Sequence, residues 1–178
     1  TTEPEWLDRA EKMTAFAYKV ASKNNWRIPE YYDEEWQPSL EAGKLCNDGR
    51  RYHEGYVTGH SMQLARFALQ VRAGLRSTGW AVPDYLMELG TELFERARVD
   101  GWRRTDGAPG FSTAVNDQGD PVPGEDEHQQ WVVCEGVCAT VAVRRAMLDD
   151  GHRIDEVEHF EHCYRSFVDY IHDYLIAQ

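Results

Sequence analysis

The chain has 178 residues, 42% of them hydrophobic and 12% aromatic, which excludes a disordered polymer and allows one domain with a substantial core. Its formal net charge is −12 and its pI about 5.0, so nucleic acid and anionic membrane are excluded as partners, since both need a basic footprint. No apolar run approaches the length that crosses a bilayer.

Helical spacing opens the chain. Trp6, Leu7, Ala10, Met13, Ala17, Val20 and Ala21 predict a helix over 4–24, with Pro4 in a tolerated first-turn position and Asn24 and Asn25 at its end. Residues 26–57 carry no sustained period, although Tyr31, Tyr32 and Trp36 can flank a tight acidic turn. The run 58–77 is apolar over more than half its circumference, with Thr58 as a candidate N-cap, and reads as an inner helix covered on several sides. A helix over 83–100 has one stripe (Leu86, Leu89, Leu93, Phe94) with charges opposite, so it reads as outer.

The long connection that follows contains "FSTAVNDQGDPV", a turn signal between two short extended runs that predicts a β-hairpin. A connection of this length is more often functional than idle. Residues 127–149 predict a second broadly apolar, inner-like helix, and 154–176 an amphipathic outer one. The order helix, Gly/Pro-rich loop with a hairpin, inner-like helix thus occurs twice. Alternating amphipathic and inner-like helices is the pattern of antiparallel helix pairs arranged in two concentric rings. The fold class expected is all-α, with one small β-hairpin in a long loop and the whole of 1–178 in one domain.

The four cysteines (Cys46, Cys134, Cys138, Cys163) are too sparse for a disulfide scaffold and are expected to be reduced thiols, mostly buried. "TTEPEWLDRAEKM" lacks the basic and apolar regions of a signal peptide, and the cytoplasm is the compartment expected. His53, His128, His152, His159, His162 and His172 fall into no HExxH or comparable spacing and read as surface residues, so no metal site is expected.

Four stretches together resemble the N-acylglucosamine 2-epimerase superfamily, and within it the mannose isomerase-like branch. "NNWRIPEYYDEEWQP" (24–38) is similar to the family's Trp-Arg-x-Pro-Glu-His-Phe-Asp segment. "TGHSMQLARFAL" (58–69) is similar to its Pro-Gly-His-x-x-Glu-x-Ala-Arg helix start. "DGAPGFSTAVNDQGDPV" (106–122) resembles its hairpin loop, and "WVVCEGVCATVAV" (131–143) its Trp-x-x-x-Glu-Ala inner helix. The resemblance implies an (α/α)6 barrel with the active site at one end of the inner ring. About twelve helices of ~11–14 residues exceed this length, so the chain is expected to cover the middle to later part of such a barrel, without its first helices and without the final one, which supplies another histidine.

The resemblance implies interconversion of an unphosphorylated aldose and ketose through a cis-enediol, with mannose and fructose first. Neither metal nor nicotinamide is required, because a positioned base and its conjugate acid suffice where a carbonyl acidifies the neighbouring C–H. Spacing alone leaves His60 open between an exposed first-turn residue and a chemical group at a helix mouth; the resemblance makes it the acid/base residue. A helix N-terminus should lower its pKa and keep it neutral, and Gly59 should let backbone and substrate approach closely.

Gln63 stands where relatives carry Glu. It can orient an imidazole but cannot stabilise an imidazolium by charge. Tyr31 stands where they often have His. Trp131 and Glu135 share a helix face: either a ring to stack on the sugar beside a carboxylate to bind hydroxyls or assist ring opening, or a core ring and a carboxylate paired at a helix interface. Arg27, Tyr52 and Trp102 are weaker, rim candidates for substrate binding, and loop packing or surface pairing is the favoured reading of each. The acidic charge and the lack of an anion cradle fit a neutral sugar. The partners expected are therefore a small sugar and either a second copy or the rest of the barrel. The alternatives are a 2-epimerase, which returns the proton to the other face of C2, and a non-catalytic fragment that binds sugar or a partner chain.

Overall fold

The computed structural model describes residues 4–37, 55–103, 109–123 and 129–176; Tyr52, His53, His128 and Cys46 lie outside them. Five helices form the frame: α1 (Pro4–Ala21), α2 (Thr58–Thr78), α3 (Tyr85–Gly101), α4 (Gln130–Asp149) and α5 (Glu158–Tyr170). A 3-10 turn (Ile154–Val157) leads into α5 and a π-helical turn (Ile171–Ile176) follows it, so the stretch expected as one helix is three helical pieces.

Helix α2 packs against α1, α3 and α4, and α4 packs in turn against α5. The wide apolar circumference of α2 is thus used by three neighbours, as an inner helix requires. On α3, Leu86, Leu89, Leu93 and Phe94 are fully buried while Glu88 and Glu92 face solvent, which is the single stripe of an outer helix. Helix α4 departs from its reading. Its packed stripe is Val132, Val133, Gly136, Ala139, Thr140, Val143 and Ala146, mostly small residues that let the helices approach. Trp131, Cys134, Cys138 and Val141 lie on its open side.

The cysteine expectation is corrected by the same face. Of the three described cysteines, all free, only Cys163 is buried, and burial pushes its thiol up to about 11. The apolar circumference of α4 concealed which stripe is covered. Among the described residues no helix is long and apolar enough to cross a membrane, and no three His, Cys, Asp or Glu side chains gather as a metal-binding group.

Four two-residue strands tie the helix ends together. Strand β1 (Tyr56–Val57) pairs antiparallel with β4 (Ala114–Val115), and β2 (Trp102–Arg103) with β3 (Gly110–Phe111). The predicted hairpin is present. The Asn116 N–H donates to the Asp120 carbonyl at 2.8 Å, and the Asn116 side chain accepts the Gln118 and Asp120 N–H groups. Gly119 turns the chain at φ +85°, a conformation glycine adopts without penalty. The acidic turn at 33–37 also forms: the Asp33 N–H donates to the Gln37 carbonyl, and the Asp33 carboxylate accepts from the Glu35 and Gln37 N–H groups.

Two details set up the site. Helix α1 stops at Ala21, before the expected residue 24, because Asn25 and Trp26 both take positive φ (50° and 59°). The Trp26 N–H closes that end on the Ala21 carbonyl at 2.8 Å, and the chain turns inward at Arg27. At the start of α2, Thr58 is already helical and caps nothing with its side chain. Its hydroxyl donates instead to the Ser112 carbonyl (2.6 Å) and its N–H to the Thr113 carbonyl (3.0 Å). The mouth of α2 is thereby fixed on the hairpin loop.

Candidate functional site

His60 lies in the first turn of α2, with its side chain about half exposed (51%). Its Nδ1 is 2.8 Å from the Oε2 of Glu30, a carboxylate only 14% exposed. On its other side is the Trp131 indole from the first turn of α4, with ring centroids 5.2 Å apart and planes tilted by 39°. The indole N–H donates to the Gln129 side-chain oxygen, which fixes the ring's orientation. Three segments remote in sequence therefore meet at one imidazole.

Gly59 is required by this meeting. A Cβ there would collide with the six-membered ring of Trp131, so the close approach expected of Gly59 is to an indole rather than to substrate. Gly59→Ala should cost about 1–3 kcal/mol through overpacking, read by chemical denaturation. An unchanged midpoint would mean that the ring moves aside freely.

One turn further along the same faces, Glu135 on α4 meets Gln63 and Arg66 on α2. Gln63 Nε2 donates to Glu135 Oε1 at 3.0 Å, and Arg66 donates through Nε and Nη2 to both carboxylate oxygens at 2.9–3.1 Å. The arrangement is a bidentate fork, the strong form of such pairs, at a side-chain exposure near one fifth. Gln63 was expected to orient His60; it orients Glu135 instead. A Glu at position 63 would face the Glu135 carboxylate as a like charge, with Arg66 bonded to that same carboxylate.

The helix-mouth argument predicted a lowered pKa for His60. The structure gives the opposite direction: it is raised above 6.5, first by the Glu30 hydrogen bond, against burial, and then by the charges of Glu30 and Glu135. A full carboxylate charge at 2.8 Å outweighs the partial charge of a helix end.

Two rim candidates have structural environments. Arg27 is buried (6%), donates through Nε and Nη2 to Asp100 at 2.7 and 3.0 Å, and through Nη1 to the Asp117 carbonyl at 2.9 Å. Its fork joins the end of α3 to the hairpin and is not presented to a ligand. Trp102 packs edge-on to Phe167 and Tyr170 and beside Phe111, as part of the aromatic core. Tyr52 lies outside the described residues. Glu30 and Arg66 were missed as site residues. Both carried a usable signal: Arg66 falls three residues after Gln63 on one helix face and ends the resembled His-x-x-Glu-x-Ala-Arg run, and Glu30 is the glutamate of the resembled Trp-Arg-x-Pro-Glu segment.

The model of the N-acylglucosamine 2-epimerase (GlcNAc 2-epimerase) family matches residues 1–178. The chain belongs to the N-acylglucosamine 2-epimerase family. Within this family it is similar to a D-mannose isomerase of Pseudomonas cannabina pv. alisalensis, 32% identical over 145 residues, covering 80% of this chain and 34% of that protein. It is also similar to a D-mannose isomerase of Thermobifida fusca, 28% identical over 174 residues, covering 96% of this chain and 39% of that protein. A crystal structure of D-mannose isomerase superposes with a TM-score of 0.76 at 20% identity, covering 97% of this chain and 40% of the other. That likeness shows the fold: the helical hairpins are part of an (α/α)6 barrel. The chain spans 34–40% of the length of these relatives.

Proposed function

We propose that this epimerase-family chain carries part of the active site of an aldose–ketose isomerase acting on an unphosphorylated sugar of the mannose/fructose type. The observation that carries the reading is His60, held by Glu30, with an indole face alongside and the Glu135–Arg66–Gln63 cluster one turn away. The names of the two similar isomerases support the substrate class. The free thiols of the described cysteines fit a reducing compartment, the cytoplasm.

In this reading Trp131, about one third exposed, offers its ring to the apolar face of the open-chain sugar. Glu135 keeps the Arg66 fork, and a sugar hydroxyl takes the place of the Gln63 donor on its Oε1. Neutral His60 takes the C2 proton of the aldose. The C2–H electron pair becomes the C1=C2 bond, and O1 takes a proton from water to give the cis-enediol, the resulting hydroxide being neutralised by the O2 proton in the second half-reaction. Return of the proton from the imidazolium to C1, with loss of the O2 proton, yields the ketose. Imidazole suits both steps near neutral pH.

The test is incubation of the protein with mannose in D2O, followed by NMR. Fructose bearing deuterium at C1 is the expected product. Labelled glucose alone would make the protein a 2-epimerase. No turnover and no exchange, from protein shown to be folded, would remove the catalytic reading and leave a sugar- or partner-binding fragment.

A further inference from the structure

The geometry points to Glu30 as the positioning residue that selects the tautomer of His60 and holds its imidazolium, the charge role that Gln63 does not perform in this chain. The inference rests on the isomerase reading for its catalytic meaning, but its central observable does not need turnover.

A carboxylate only accepts hydrogen bonds. The 2.8 Å contact between Glu30 Oε2 and His60 Nδ1 therefore requires the proton on Nδ1 in the neutral ring. The lone pair is then on Nε2, the nitrogen available to take a proton from carbon. When Nε2 is protonated, the same carboxylate faces a full positive charge. This is the logic of a carboxylate behind a catalytic histidine, in which orientation, tautomer and charge are set by one contact.

Three observations make the contact specific. Glu30 is only 14% exposed, so its partner is not readily exchanged for water. It follows Pro29, whose fixed φ limits the freedom of the segment. The imidazole also lies against Trp131, which is itself packed on Gly59, so an indole limits the positions open to the ring on that side. The other charged groups acting on this face are Glu135 from α4 and Arg66 from α2. Those two are joined by the bidentate fork; Glu135 still raises the imidazole pKa, but the Glu30 hydrogen bond is the largest influence on it.

A consequence for activity follows with a defined sign. The base must be neutral, so the rate rises with pH as His60 loses its proton. Because Glu30 raises that pKa, the acid limb should lie above the ordinary histidine range. Removing the carboxylate's charge should move the limb to lower pH.

The experiment is 15N and 13C NMR of the imidazoles across pH in the wild type and in Glu30→Gln, with the His60 signals assigned by their loss in His60→Ala. The wild type should show the Nδ1–H tautomer in its neutral form and a pKa above the ordinary value. Glu30→Gln should mix the tautomers and lower the pKa, and Glu30→Asp should restore part of the shift. On mannose, kcat of Glu30→Gln should fall by about tenfold or more with KM little changed, and its acid limb should move to lower pH. Unchanged tautomer and titration in a folded Glu30→Gln protein would overturn the inference. A wild-type protein that shows the tautomer and the shift yet exchanges no sugar proton would instead overturn the isomerase reading while leaving the Glu30–His60 contact standing.

Discussion

On the proposed isomerase reading, replacing His60 by alanine is expected to lower mannose–fructose interconversion by about 10²–10⁴-fold, the usual contribution of a positioned general base. C2 deuterium exchange should be lost to the same degree. The fold should survive, because the side chain is about half exposed and surface substitutions usually stay within about ±0.5 kcal/mol. The main structural debt left behind is Glu30, a carboxylate 14% exposed that loses its partner. A control follows from this: His60→Ala combined with Glu30→Gln should be no less active than His60→Ala alone, since Glu30 acts only through the imidazole. Retention of more than about a tenth of the rate in His60→Ala would place the base elsewhere.

The contrast with Gln63→Glu sharpens the same argument. That change restores the residue usual in the resembled helix start, yet in this chain it sets a second carboxylate 3 Å from Glu135 with only Arg66 to balance both. The negative charges that face His60 would then include Glu30, Glu135 and residue 63. His60 would be held protonated to higher pH than in the wild type. The Gln at this position and the Glu30 contact are therefore parts of one electrostatic arrangement.

What was legible in the sequence tracks the reach of its periodicities. Helices α2 and α3 and the turn of the hairpin followed from spacing and from Asn, Asp and Gly placement. The two strand pairings were invisible because each strand is two residues long, and Tyr56 meets Val115 only through tertiary structure. On α4 the apolar residues surround the helix, so the packed stripe of small residues could not be separated from the exposed side carrying Cys134 and Cys138. The Trp131–Glu135 pairing on one face was readable at i,i+4. The partners of those groups were not: Glu30 reaches His60 across 30 positions and Arg66 reaches Glu135 across 69. The direction of the His60 pKa went wrong for the same reason. A helix dipole can be inferred from local sequence, whereas a carboxylate brought in by another segment cannot.

Arg27→Met is expected to destabilise the protein by about 3–5 kcal/mol, the cost of leaving a buried carboxylate without its partner. Asp100 is 5% exposed and would lose both bonds of the fork, keeping the long 3.4 Å contact to Arg96. At roughly 2–4 °C per kcal/mol for a chain of this size, the midpoint of thermal unfolding should fall by roughly 6–20 °C. The loss should spread beyond the pair, because the same guanidinium donates to the Asp117 carbonyl and lies beside Tyr56, whose hydroxyl donates to Asp117 at 2.6 Å. Gly119 approaches this pair so closely that a Cβ would meet both Asp100 and Arg27, so the hairpin is seated directly on it. Methionine keeps most of the side-chain volume and removes the charge. Adding Asp100→Leu to Arg27→Met should recover a large part of the stability, since two apolar residues of similar size often replace a buried ion pair at little net cost. The measurement also separates the two readings of Arg27. A structural fork predicts a large fall in the unfolding midpoint and an unchanged KM for mannose in the folded protein. A ligand-binding arginine predicts the reverse, and a loss below about 1 kcal/mol would show that the fork is not the strut between α3 and the hairpin.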